Sequence, residues 1–195
     1  MKTIFQIVFK NWKTTLAALS ALFVFSLTVG IGGAYLVGWT GKEEFCTSCH
    51  NMQQNFAEYK GTIHDTNRTG VRATCSNCHT PHEPGPLMLA KLKASKDIFY
   101  TFVWPTIDTK EKFEAKRAEM AHTVWKGMME SDSATCRSCH VADKMSPELQ
   151  SVKAQARHAK AKTEGKTCIE CHFAIAHKEP EGPGPTELFK KPETK

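Results

Sequence analysis

All eight cysteines of the chain fall in four copies of one pattern: "CTSCH" at 46–50, "CSNCH" at 75–79, "CRSCH" at 136–140 and "CIECH" at 168–172. In C-x-x-C-H, two thiols and an imidazole sit on one short turn. Thiols so spaced can add across the two vinyl groups of a haem, and the histidine then meets the iron from the same face. This is the attachment signature of c-type haem. Zinc also takes paired C-x-x-C ligands, but it does not require a histidine directly after each pair. A thioredoxin-like dithiol needs one motif, not four. The pattern therefore predicts four covalently bound haem c groups, on Cys46 and Cys49, Cys75 and Cys78, Cys136 and Cys139, and Cys168 and Cys171. His50, His79, His140 and His172 are the first iron ligands in this reading, and no cysteine is left for a disulfide.

The motifs come in pairs. The first two start 29 residues apart, the last two 32 apart, and 61 residues separate the second from the third. Further histidines repeat with them. His64 lies 14 residues after His50 and His158 lies 18 after His140, while His82 and His177 follow His79 and His172 by three and five. Proline-rich text trails both second motifs, "PHEPGP" (81–86) and "HKEPEGPGP" (177–185). The spacing thus predicts two duplicated dihaem units. A second axial histidine makes a low-spin electron-transfer haem, so His64, His158 and His177 are expected as distal ligands. His82 is the doubtful fourth, and His122 has no repeat partner and reads as structural. Which histidine reaches which iron is open at this level. The first motif alone continues "NM". Met52 stands two residues after His50; thioether is a haem ligand, although by residue type alone Met52 reads as packing against a macrocycle.

These residues need elements to hold them. Residues 14–41 carry no charged side chain, and 16–39 are almost wholly apolar. That exceeds the roughly 20 residues that span a bilayer and the shorter apolar core of a cleaved signal. Lys2, Lys10 and Lys13 flank its start, which places the amino terminus in the cytoplasm and everything after about residue 42 across the membrane. Tyr35 and Trp39 suit an interfacial aromatic belt, and Gly30, Gly32 and Gly33 would allow close helix packing and a homodimer. The boundaries expected are a cytoplasmic segment 1–13, a transmembrane anchor 14–41, dihaem units at 42–105 and 106–179, and a flexible tail at 180–195. Within them, Leu87 to about Phe99 reads as a helix, followed by the aromatic run "IFYTFVW" (98–104), which suits either a haem-packed strip or a membrane interface. Residues 108–131 read as a second helix, with Asp108 and Glu111 as a capping box and Phe113, Ala121, Val124, Trp125 and Met128 on its apolar face. Strand signals are few. The fold class is mainly α: one N-terminal transmembrane helix plus a small multihaem cytochrome c domain whose haems form much of the core.

Charge excludes little. Lys and Arg exceed Asp and Glu by six, but haem propionates would cancel that excess. No basic patch interleaves with aromatics, so no nucleic-acid partner is expected.

An apolar anchor followed by paired C-x-x-C-H motifs resembles the NapC/NirT family of membrane-anchored tetrahaem quinol dehydrogenases. The wording is close in "EFCTSCHNM", "NRTGVRATCSNCH", "TIDTKEKFEAKRAEMA" and "DSATCRSCH", most of all to the NapC branch. The resemblance implies oxidation of menaquinol or ubiquinol beside the first haem, at the outer face of the bacterial inner membrane. It implies electron delivery to a periplasmic reductase: nitrate reductase and its dihaem subunit. In relatives the first haem can take the methionine of C-x-x-C-H-x-M, a position Met52 matches. Lys91 and Asp97, in "KLKASKD", match a lysine and an aspartate of the quinol pocket. The distal positions match His64, His158 and His177; if Met52 and Asp97 serve the first haem, His82 is spare. Lysine can hydrogen-bond a quinol oxygen and a carboxylate can take its proton. Two other readings compete: a pure electron relay with no quinol site, and a terminal reductase, which the absence of any C-x-x-C-K disfavours.

Overall fold

The computed structural model describes residues 11–189; Lys2, Lys10 and the end of the expected tail, 190–195, lie outside them. The chain divides into two compact units, the first ending at Gly41 and the second beginning at Lys42. Among the described residues there is no strand. The first unit is one helix, α1, Trp12–Trp39. Its 28 residues make it long and apolar enough to cross a membrane, and none of them is buried within the protein. With its backbone groups bonded internally, such a helix needs only an apolar solvent around its side chains.

The second unit is built from short helices hung on two long ones. In order they are α2 (Glu43–Thr47), α3 (Gln53–Tyr59), α4 (Cys75–His79), α5 (Pro84–Phe102), α6 (Lys110–Glu130), α7 (Ala134–Arg137), α8 (Val152–Thr163) and α9 (Pro185–Leu188). Single 3-10 turns lie at His50–Met52, Ala142–Lys144, Pro147–Leu149 and Cys168–Glu170. α5 starts earlier than the Leu87 expected, because Pro84 and Pro86 fit its first turn, where no intrahelical N–H bond is lost. α6 is capped one residue later than expected. Thr109 is the cap, its hydroxyl accepting from the Lys112 amide at 3.3 Å, while Asp108 instead pairs with the Lys112 ammonium at 2.7 Å. The shorter threonine reaches the amide, and the aspartate is left to the cation.

The protein core of this unit is small. Its buried large apolar side chains are Tyr59, Phe113, Trp125 and Ile169. Phe113 and Trp125 lie on the expected face of α6, and Trp125 meets Phe173 edge to face at 5.3 Å. Aromatic packing ties α6 to the chain after the fourth motif. The tail expected to be flexible returns to this core in its described part. α9 packs on α6 and on the Cys168–Glu170 turn, Pro185 is fully buried, and Thr186 donates to the Glu170 carbonyl at 3.0 Å. Gly184 makes that return feasible, since a Cβ there would meet the Phe173 ring at 3.1 Å.

Arg117 also lies on the α6 stripe and is buried. Its guanidinium grips Glu58 of α3 at 2.5 Å and Glu114 at 2.7 Å and donates to the Lys178 carbonyl at 3.3 Å. Burial alone would raise the Glu58 carboxyl. The bonds from Arg117 and from the Lys178 amide outweigh it and hold the group at about 2. A buried charge persists only when so paired. The result is a three-way clamp between α3, α6 and the segment after His177.

Candidate haem-binding site

The four motifs take two local forms. α4 spans the whole of motif two. In motifs three and four the histidine amide closes back on the first cysteine carbonyl, His140 to Cys136 at 2.8 Å and His172 to Cys168 at 2.9 Å. Motifs two and four also share a capping box: Thr74 with Asn77, and Thr167 with Glu170. That box turns the chain at the residue before the first cysteine. Motif one differs. Its helix α2 ends at Thr47, Cys49 is extended (φ −83°, ψ 133°), and His50 opens a separate turn, His50–Met52. The "NM" belongs to that turn. The Asn51 amide donates to the buried Thr101 hydroxyl at 3.0 Å, and Thr101 donates to the Asp97 carbonyl at 2.7 Å. α5 is thereby docked on motif one.

Motifs adjacent in sequence are adjacent in space. Cys75 of motif two lies beside Cys46 of motif one, and the pairing pulls the Cys46 thiol down and pushes the Cys75 thiol up. Against burial, the Lys91 charge on α5 adds to the lowering at Cys46, so Lys91 lies within electrostatic range of motif one. α4 packs on α7, and Cys78 lies within the field of Cys136 and Cys139, although burial is the larger cause of its raised pKa. Ser133, fully buried and left-handed (φ 52°), accepts the Ile169 amide at 3.2 Å and so joins motif three to motif four.

The histidines pair. His64 faces His140 with ring centroids 6.1 Å apart, His79 faces His177 at 6.1 Å, and His158 faces His172 at 6.0 Å. A metal–imidazole bond of about 2 Å, plus roughly 1.1 Å from nitrogen to ring centre, puts two trans imidazoles about 6 Å apart. The spacing therefore fits a metal between each pair of rings. Each pair supplies two ligands, the number of axial positions that a planar four-nitrogen macrocycle leaves open. Among the described residues no group of three or more His, Cys, Asp and Glu is arranged to hold an ion by itself.

Burial favours the neutral form of three of the paired rings. Burial, then the His140 ring, lowers the His64 pKa; burial likewise lowers that of His177. Burial and the His177 ring hold His79 at about 4. Neutral imidazole is the form that offers a lone pair. The Nδ1 atoms of His64 and His177 are buried without a hydrogen-bond partner, and the Asn55 carbonyl beside His177 lies outside bonding geometry. Buried orphans of this kind call for an explanation, and these fit rings whose partner is a bound group. The Nε2 atom of His122 is a buried orphan of the same kind.

The structure does not bring every expected residue together. His50, His82 and His122 stand outside the three pairs, and His82 is exposed. His122 instead leans on Trp125 at 5.4 Å. Met52 is half-buried in the turn that His50 opens. Lys91 lies within electrostatic range of motif one, whereas Asp97 is exposed and joins it through its backbone. The repeat is not obeyed by the pairs. His158 faces the second motif of its own half, but His64, its equivalent, faces motif three. His177 reaches back to motif two. The two halves therefore interlock instead of standing as separate dihaem units.

Several residues escaped the sequence reading. Asn51 sat in the quoted "NM" beside the methionine that drew attention. Arg117 falls on the Phe113–Ala121–Val124 stripe, and a lone arginine on an apolar face was its signal. Thr101 gave none.

Two covalent anchors and one imidazole per motif, with a second imidazole facing three of them, define a multihaem c-type cytochrome. The comparisons with known proteins agree. Residues 9–182 match the family described as "NapC/NirT cytochrome c family, N-terminal region", and the chain belongs to it. Over 165 residues it is 49% identical to the cytochrome c-type protein TorY of Escherichia coli O157:H7, covering 82% of this chain and 45% of TorY. A putative tetraheme cytochrome c of Allochromatium vinosum is 47% identical over 169 residues, 87% of this chain and 91% of the relative. The denitrification system component NirT of Stutzerimonas stutzeri is 49% identical over 144 residues, 73% and 71%. The chain thus spans about half the length of the TorY relative. No solved structure matches it.

Proposed function

We propose that this cytochrome oxidises membrane quinol beside its first motif and delivers the electrons to a periplasmic reductase. The observation that carries the reading is the contrast between motifs. Three have paired imidazoles at 6.0–6.1 Å; the first has none, breaks its turn at Cys49, and carries α5 with Lys91 docked upon it. Two axial imidazoles suit an electron relay, and motif one is the site that departs from that arrangement.

Haem c held at a motif carries one electron at a time. The eight motif cysteines would anchor four such groups, and the pairs His79–His177, His64–His140 and His158–His172 would hold the second, third and fourth. His50 or Met52 serves the first. The motif order, one to four, is then the order of the relay. Exposed side chains such as Ile63, Val71, Leu149 and Val152 leave apolar surface for the macrocycles to cover. Quinol loses two protons and two electrons on becoming quinone. Lys91 would hydrogen-bond a quinol oxygen and stabilise the charge that develops there; the exposed Asp97 carboxylate would accept the two protons in turn and pass each to solvent, while the two electrons leave one at a time to the group held at motif one. α1 is the bilayer anchor, with its amino terminus cytoplasmic beside Lys13 and the haem unit periplasmic. The acceptor is a nitrogen-oxide reductase, nitrate reductase foremost. A relative named as a denitrification component supports that class.

The test is anaerobic addition of a reduced menaquinol or ubiquinol analogue to the detergent-solubilised protein, followed at the haem bands. Rapid reduction is expected. It should fall at least tenfold in Lys91→Gln and in Asp97→Asn with haem content intact. Protein that dithionite reduces fully but neither quinol reduces would be a relay fed by another membrane protein.

A further inference from the structure

We propose that Gln150 is a positioning residue for the fourth motif's imidazole pair, fixing the tautomer of His158 and lowering the potential of the haem held there. The inference rests on the reading of His158 and His172 as axial ligands. His158 Nδ1 lies 2.7 Å from Gln150 Oε1. An amide oxygen only accepts, so Nδ1 carries the proton and Nε2 carries the lone pair. That is the tautomer a ligand binding through Nε2 must have.

The acceptor is itself held. Gln150 Nε2 points to the Ser146 carbonyl at 3.5 Å, which orients the amide with its oxygen toward His158. The Gln150 carbonyl accepts from Gln155 Nε2 at 3.1 Å, and its amide N–H donates to the Pro147 carbonyl at 2.9 Å. Gln155 sits on α8, the helix that carries His158, so acceptor and ligand move as one body. Ser151 caps that helix, its hydroxyl accepting from the Ala154 amide at 3.2 Å. None of this exists at His64 or His177, whose Nδ1 atoms lack partners. A ring N–H that is hydrogen-bonded makes its imidazole a stronger donor. A stronger donor favours ferric over ferrous iron, and a stronger acceptor enhances the effect.

Two substitutions of opposite character test this in the full-length holoprotein. Gln150→Glu offers a stronger acceptor, and Gln150→Leu offers none. In a spectroelectrochemical titration, one of the four haem components should move to lower potential in Gln150→Glu. The same component should move to higher potential in Gln150→Leu. Both variants should keep four low-spin or native spin-state haems. His158→Ala identifies the component, because it should turn that haem high-spin. A purely structural role would move both Gln150 variants in one direction or neither, and either result overturns the proposal. If His158→Ala leaves every spin state unchanged, the axial reading itself fails. If it yields one high-spin haem while the Gln150 variants leave all potentials in place, only the role of Gln150 fails.

Discussion

At the scale of single residues, ring orientation separates the three imidazole pairs. His64 and His140 meet at 82°, whereas His79 and His177 meet at 39° and His158 and His172 at 40°. The iron d-orbital splitting depends on whether the two axial rings are crossed or nearly aligned. Oxidised protein should therefore show one low-spin electron paramagnetic resonance signal with the large, isolated g-value of crossed rings. Two more rhombic low-spin signals should accompany it. His64→Ala should abolish the first selectively and produce a high-spin signal, with four haems still attached covalently. Loss of a rhombic signal instead would mean that His64 serves another iron. The pairing itself could not be read from spacing. Fourteen and eighteen residues after a motif looked equivalent in the sequence, yet His64 and His158 ended on different kinds of partner because the chain between them folds differently.

At the scale of elements, α5 is held against motif one by few bonds. Its Thr101 is buried, but Leu89, Leu92, Ile98 and Phe102 are among its exposed apolar residues. The Asn51–Thr101 bond is the specific link. Removing Asn51 leaves the buried Thr101 hydroxyl with its Asp97 carbonyl bond only, at a cost of about 1–3 kcal/mol. Asn51→Ala is accordingly expected to slow reduction by menaquinol several-fold while reduction by dithionite stays complete. Thr101→Val should reproduce the effect. An unchanged quinol rate in both would detach α5 from the substrate site. This helix was legible from its prolines and apolar residues, and its docking was not, since a lone asparagine and a lone threonine 50 residues apart carry no pattern.

At the scale of the whole molecule, the Arg117 clamp joins α3, α6 and the segment after His177, and so holds together the halves that the ligand pairs interlock. Arg117→Leu strands Glu58 and is expected to destabilise by about 3–5 kcal/mol, with the His79–His177 haem the first to lose its distal ligand. Thermal melts and the high-spin fraction would show it. The pH dependence follows from Glu58. Its folded pKa, about 2, lies below its ordinary 4.5, so the carboxylate stabilises fully above that ordinary value. The contribution, on the order of 3 kcal/mol, is lost as the pH falls from about 4.5 toward 2. Glu58→Gln should flatten the acid limb of a stability–pH profile over that window, and an unaltered limb would remove Glu58 from the account.

Sequence alone determined what is covalent or local. Thioether attachment needs two thiols and a histidine within five residues, so four motifs were visible as written. A bilayer-length helix needs only an unbroken apolar run, and a helix-forming stripe such as that of α6 shows in its own period. The same holds for the family, since its motifs are contiguous words. What the tertiary structure decided is everything that depends on two distant segments meeting. It paired His64 with His140 and His177 with His79, set the motifs in spatial order, docked α5 through Asn51, and buried an arginine between three elements. Those meetings are not encoded in any short pattern, because each is fixed by the packing of several helices around a core of only a few apolar side chains, where one hydrogen bond or one ion pair selects the register.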